Sequence, residues 1–267
     1  MSKTCYIDGD VLLYEVVYST TSTMDCGDGW WQTVGDHHAA YQKFKARTLE
    51  VMEAAGCDQG IVCLSDHSNA IFRIGFYPDY KSNRKNKLSS RPPHFVPLKR
   101  SLLGLSNEGE VANPILDRCY SVDKGWATVV AMPTLEADDV ISMLHLENPG
   151  VVATIDKDLY QLPGEHIHLE TLQRRYIDAK EGNRLLAQQC LSGDPTDNIP
   201  GVPGIGKVRA ERLLADVLEE DHWDTIVDKY TDSGQTEDDA YMNLMLVRML
   251  RPGEYNGETH EINMELP

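Results

Sequence analysis

The sequence predicts an α/β protein, a mostly parallel central sheet flanked by helices, followed by a C-terminal helical region. Three observations carry this. Short apolar runs alternate with helix-period segments through the first two thirds of the chain. The strand-like runs stop after about residue 180. No run of about 18 apolar residues offers a membrane span instead.

In order, Thr4–Asp8 reads as a buried strand and 11–18 as the helix after it. Residues 41–55 are helical by periodicity. Strands are expected at 60–65, 127–132, 151–155 and 166–170, with a helix over Ala137–Glu147. Residues 182–191, 208–217, 222–230 and 239–250 read as helices. Stretches 19–36 (with Trp30 and Trp31) and 106–125 read as loop insertions. The division is a core over 1–180 and a helical region over 181–267.

The 267 residues are 41% apolar, enough for a substantial core. The first ten residues lack the features of a signal peptide. The six cysteines form no CxxC pair and read as reduced thiols of a cytoplasmic protein. Cys26 with His37 and His38 fits no standard zinc spacing.

The net charge of −17 argues against a polyanionic partner, but it is unevenly spread. Between Arg73 and Arg100, eight basic residues (Arg73, Lys81, Arg84, Lys85, Lys87, Arg91, Lys99, Arg100) meet one acid, Asp79. That segment is +7, leaving −24 on the rest. A solvated basic loop and a polyanion-handling segment fit this pattern equally well.

The acids are more specific. Asp8 ends the first strand, and Asp66 follows the second. Glu136, Asp138 and Asp139 follow the third at a helix start, and Asp156 and Asp158 follow the fourth. One acid at a helix start complements the helix dipole; three exceed that need. Two carboxylates about 4 Å apart repel by roughly 1 kcal/mol in water and about 4 at an effective dielectric of 20. Such a group therefore protonates or takes up cations. All-oxygen ligands favour Mg²⁺ or Mn²⁺, and a pair of such ions suits phosphodiester hydrolysis.

The segment Gly193-Asp-Pro-Thr-Asp-Asn-Ile-Pro-Gly-Val-Pro-Gly-Ile-Gly-Lys207 closely resembles the helix–turn–helix signature of the 5′→3′ exonuclease and flap endonuclease family. Ile7-Asp-Gly-Asp10, Phe72-Arg73, Pro78-Asp-Tyr-Lys-Ser-Asn-Arg84, Leu135-Glu-Ala-Asp-Asp139 and Thr154-Ile-Asp-Lys-Asp-Leu159 match in order. The likeness spans about residues 4 to 250. It implies a first metal position at Asp8, Asp66, Glu136, Asp138 and Asp139, with Glu136 acting through water. A second is implied at Asp156, Asp158, Asp194 and Asp197, with Asp10 in support. Asp8 and Asp139 are then catalytic, with Lys81 and Arg84 on the scissile phosphate.

The resemblance further implies a helical arch over about 73–105. Arg73, Tyr80, Lys85, Lys87 and Arg91 would contact DNA there, Tyr80 by stacking, with Lys99 and Arg100 lining the arch. Gly201, Gly204, Gly206, Lys207 and Arg209 would grip duplex DNA through backbone N–H groups and charge. The implied cofactors are two or more Mg²⁺, with Mn²⁺ as a substitute, and K⁺ on the carbonyls of the turn. The expected partners are DNA with 5′ ends, nicks or flaps and a separate DNA polymerase. The chain is expected to be a monomer in the cytoplasm, a bacterial host's if the source is a phage. RNase H-like cleavage is a further implied activity; the rival reading is a catalytically inactive binder of DNA structures.

Overall fold

A computed structural model describes residues 2–66, 71–83, 91–105 and 116–265. Arg84, Lys85 and Lys87 lie outside the described residues.

The chain runs β1 (Thr4–Asp8), α1 (Gly9–Ser19), β2 (Thr21–Gly27), β3 (Trp30–Gly35), α2 (His37–Ala55), β4 (Gln59–Leu64), α3 (Phe72–Phe76) and α4 (Phe95–Leu102). It continues through β5 (Tyr120–Asp123), β6 (Thr128–Ala131), α5 (Ala137–Glu147), β7 (Val151–Thr154), β8 (Gly164–His168) and β9 (Arg174–Ile177). Four helices follow, α6 (Ala179–Ser192), α7 (Lys207–Leu213), α8 (His222–Asp232) and α9 (Glu237–Val247).

Seven strands form one sheet in the order β5-β6-β4-β1-β7-β8-β9. The inner pairs are parallel, and β5 and β9 close the two edges antiparallel. The two-residue side-chain period of the strands sorts the core. Cys5, Ile7, Val62, Leu64, Val129 and Ala153 join one apolar cluster with α1, α2 and α4. Tyr6, Cys63, Val130 and Val152 join another with α5. A third cluster unites α6 to α9 and takes in Ile71 and Tyr80.

The expected sheet and helices are present, with local differences. Residues 19–36 are not a loop: β2 and β3 pair antiparallel as a separate two-stranded sheet. Gly27, Asp28 and Gly29 adopt φ of 87°, 52° and 77°, which a tight, bulged hairpin turn requires. Edge strands β5 and β9 escaped notice because edges face water and need few apolar residues; Arg174, Arg175 and Tyr176 are all exposed. Helix α9 ends at Val247, three residues short of expectation. The segment beyond it is drawn onto the core by Arg73 and Asp139.

Candidate active site

Strands β6, β4, β1 and β7 are adjacent and parallel, so their carboxyl ends share one edge. Ligand chemistry in open α/β sheets gathers at this edge. Asp8 ends β1 and caps α1, one oxygen accepting from Val11 N–H at 3.2 Å. Its other oxygen accepts from Thr154 Oγ1 at 3.0 Å, across the β1–β7 pairing. Asp66 follows β4 and accepts from Thr134 N–H at 2.9 Å. Ser65 ties the neighbouring elements together: its N–H lies 3.3 Å from both Asp10 oxygens, and its hydroxyl accepts from Ala137 N–H at 2.8 Å. Asp156 caps the turn after β7 and receives Asp158 N–H at 2.9 Å. Gln189 of α6 donates to Asp158 at 2.8 Å.

The electrostatics at this edge are those of carboxylates short of cations. Burial and the Asp10 charge push Asp8 up to about 7. Burial, then Asp8 and Asp156, hold Asp138 well above the carboxylate range. Burial, then Asp156, Asp194 and Asp197, raise Asp158 to about 6. Asp8 and Asp138 thus sense Asp156, and Asp158 senses the loop acids Asp194 and Asp197, so the set forms one electrostatic group. Its donors are all oxygen, which fits a hard divalent ion. As placed, however, no three His, Cys, Asp or Glu among the described residues are disposed to hold one metal ion.

Internal cations explain part of that. Glu136 accepts from Lys81 Nζ, from Tyr80 OH at 2.7 Å and from Arg73 Nη1 at 3.2 Å. Burial opposes its charge, but Lys81 and Arg73 outweigh it and hold Glu136 down to about 2. Lys81 Nζ also lies 3.4 Å from Asp197 Oδ2. Asp139 is 0% exposed and grips Arg73 through two hydrogen bonds of 2.6 and 2.8 Å.

Several of the expected site residues are engaged inside the protein. Both Asp139 oxygens bond Arg73, and one also accepts Leu250 N–H at 3.2 Å. Arg73 is not placed to bind DNA. It is buried and donates to the Leu246 and Arg248 carbonyls at 3.0 and 2.9 Å. This pair docks the segment after α9 onto the core. Tyr80 is not a stacking platform: it is buried in the helical cluster with its hydroxyl on Glu136. Lys99 does not line an arch surface; it is 0% exposed and donates to the Ser65 carbonyl at 2.6 Å. Burial lowers it to about 8 against the opposing pull of Asp10 and Asp66. Arg91 donates to Tyr14 OH at 3.0 Å and lies over the Phe95 ring. Cys26 is exposed on β2, and the His37 ring sits 3.1 Å from Ser101 Oγ.

The C-terminal loop meets the segment before residue 84 through contacts that no motif announced. Asn83 Nδ2 donates to the Pro195 and Thr196 carbonyls at 3.0 and 3.2 Å. Asn198 Nδ2 reaches the Asp79 carbonyl at 2.8 Å and Ser82 Oγ at 3.1 Å. Asn198 has φ 57°, a conformation asparagine tolerates well. Beyond the loop, Gly201 is packed so tightly that a Cβ would lie 2.3 Å from the Ser192 carbonyl carbon. Gly204 has φ 77°. Gly206 caps α7 with open space beside it, and Lys207 and Arg209 are exposed next to it.

Together these features define an α/β protein with a carboxylate-rich sheet edge facing a basic, glycine-rich turn. The family described as 5′-3′ exonuclease, N-terminal resolvase-like domain, matches residues 3–187. The chain belongs to that family. A 5′-3′ exonuclease of Buchnera aphidicola is 30% identical over 224 residues, covering 75% of this chain and 65% of that protein. DNA polymerase I of Mycobacterium tuberculosis is 30% identical over 179 residues, covering 58% of this chain. The matched region is only 17% of that polymerase's length. Among solved structures, a bacteriophage T5 5′-exonuclease with bound zinc aligns at TM-score 0.62 and 17% identity. That alignment covers 91% of this chain and 88% of the phage protein, and it shows a shared fold.

Proposed function

We propose that this protein hydrolyses DNA phosphodiesters near 5′ ends, as an exonuclease or flap endonuclease, in a divalent-metal-dependent reaction. The observation that carries the reading is the gathering of Asp8, Asp66 and Asp156 just past the carboxyl ends of the adjacent parallel strands β1, β4 and β7, with burial and neighbouring acids raising Asp8, Asp138 and Asp158. A protein keeps so costly a group where cations and phosphates are handled. Asp8, Asp66 and Asp138 would hold one ion, with Glu136 reaching it through water; Asp156, Asp158, Asp194 and Asp197 would hold another. Mg²⁺ or Mn²⁺ bound there supplies Lewis acidity towards the phosphodiester.

The remaining roles belong to the chain itself. Thr154 and Val11 orient Asp8, and Gln189 orients Asp158. Arg73 and Asp139 brace Glu136 from within the core. Lys81, and Arg84 outside the described residues, are the candidates to neutralise the scissile phosphate. The turn 201–206, with Lys207 and Arg209, would hold the duplex by its backbone phosphates, with K⁺ as a candidate ion on its carbonyls. The fitting partner is DNA with nicks, flaps or free 5′ ends, supplied by a separate polymerase, and a single copy of the chain holds every residue named.

The direct test is cleavage of 5′-labelled blunt duplex, nicked duplex, 5′-flap and RNA/DNA hybrid with Mg²⁺, Mn²⁺ or EDTA. Metal-dependent release of 5′-terminal products is expected, and product length separates exonuclease from flap cutting. Binding to the flap without cleavage under either metal would favour the inactive binder instead.

A further inference from the structure

The inference concerns Lys81 and rests on the proposed metal-dependent reaction. Lys81 has φ 54°, a left-handed conformation that a lysine adopts only when its surroundings impose it. Its N–H donates to the Asp197 carbonyl at 2.8 Å, and Asn83 and Asn198 tie the flanking residues to the same loop. The side chain is thereby delivered to a defined place. Its ammonium bonds Glu136, which opens the sheet-edge group, and stands 3.4 Å from Asp197, in the C-terminal loop group. One ammonium thus bridges the two sets of acids that two divalent ions would occupy.

An ammonium and a divalent ion compete for the same acids, directly at Asp197 and through water at Glu136. We propose that Lys81 is a built-in counter-cation of the metal-free protein, holding Glu136 and Asp197 together until a divalent ion displaces it and frees it for the substrate phosphate. Metal loading, rather than DNA binding, then arms this lysine. The exchange is of one cation for another, with no bond broken and no proton transferred. Glu136 and Asp197 are held by Lys81.

The test reads metal binding without DNA. Mn²⁺ is titrated calorimetrically into wild type, Lys81→Met and Lys81→Arg, each checked for native circular dichroism and melting. Removing the competing charge is expected to tighten Mn²⁺ binding about tenfold in Lys81→Met, within the usual range of coupling between two sites. Lys81→Arg, which keeps the charge, is expected to bind no tighter than wild type. Wild type that binds Mn²⁺ together with a folded Lys81→Met that binds it equally or more weakly overturns the inference and leaves the nuclease reading intact. No Mn²⁺ binding by any form overturns both. A second measurement needs no variant: in ¹⁵N-lysine-labelled wild type, the Lys81 ammonium signal should shift and lose exchange protection at saturating Mg²⁺. An unchanged signal in a protein that binds Mg²⁺ contradicts the exchange.

Discussion

Asp139 shows how a residue's place in the core redirects its role. A metal-binding carboxylate sits among like charges, so neutralising it relieves repulsion and commonly stabilises the fold. Asp139 instead balances the buried Arg73 guanidinium. Asp139→Asn leaves that cation unpaired and should cost about 3–5 kcal/mol, read by urea unfolding. An unchanged or raised stability would return Asp139 to the metal ligands. His166 makes a second prediction at this scale. Its Nε2 bonds the Leu162 carbonyl at 2.8 Å, and burial lowers it from 6.5 to about 4. The folded state therefore resists protonation that the unfolded state accepts. The stabilising contribution is complete above about pH 6.5 and is lost as pH falls towards 4. His166→Gln should flatten the melting temperature between those values; an identical slope would exclude His166 as a cause.

At the scale of elements, the loop 194–198 and the segment 79–83 are joined by exposed Asn83 and partly buried Asn198. Asn198→Ala removes two hydrogen bonds and should cost about 1–2 kcal/mol. Because the same contacts aim Lys81, cleavage should fall further than duplex binding does, which single-turnover rates and filter binding distinguish. Gly201→Ala is a harsher change. The atoms its Cβ would meet are all backbone, the Ser192 carbon, Gly193 nitrogen and Leu191 oxygen, and none can rotate away. Destabilisation of about 3 kcal/mol is expected, the upper end for overpacking, measured by thermal melting. The hairpin β2–β3 stands at the other extreme. Trp30 and Trp31 are 76% and 63% exposed, and its strands pair only with each other. Replacing residues 22–34 by two glycines should move the melting temperature by less than about 3 °C.

At the scale of the molecule, the proposed function requires an acidic body to approach an acidic polymer. Long-range repulsion by a −17 chain is screened at physiological salt, where the Debye length is about 8 Å. On that reading, local contacts by exposed Lys207 and Arg209 would decide binding. Affinity should fall linearly with the logarithm of salt, and Lys207→Ala and Arg209→Ala should each reduce the slope by about 1. An unaltered slope would place the duplex elsewhere. No helix among the described residues is long and apolar enough to cross a membrane.

The sequence by itself determined the layered α/β fold, the order of its elements and the strand-end position of the acids, because all three follow from local periodicity and from where each run stops. Asp8, Asp66, Asp138 and Asp156 were legible for that reason. The hairpin was not legible, because its exposed tryptophans hid the strand pattern around the Asp28-Gly29 turn. Only the tertiary structure decided which charges neutralise one another. Arg73 and Asp139 are 66 residues apart, and Lys81 and Asp197 meet from loops widely separated in the chain. Burial then set the outcome, since a guanidinium or ammonium removed from water takes the nearest carboxylate, and distance along the chain says nothing about which carboxylate that will be. The carboxylate edge therefore contains both acids waiting for cations and acids already satisfied by the protein's own.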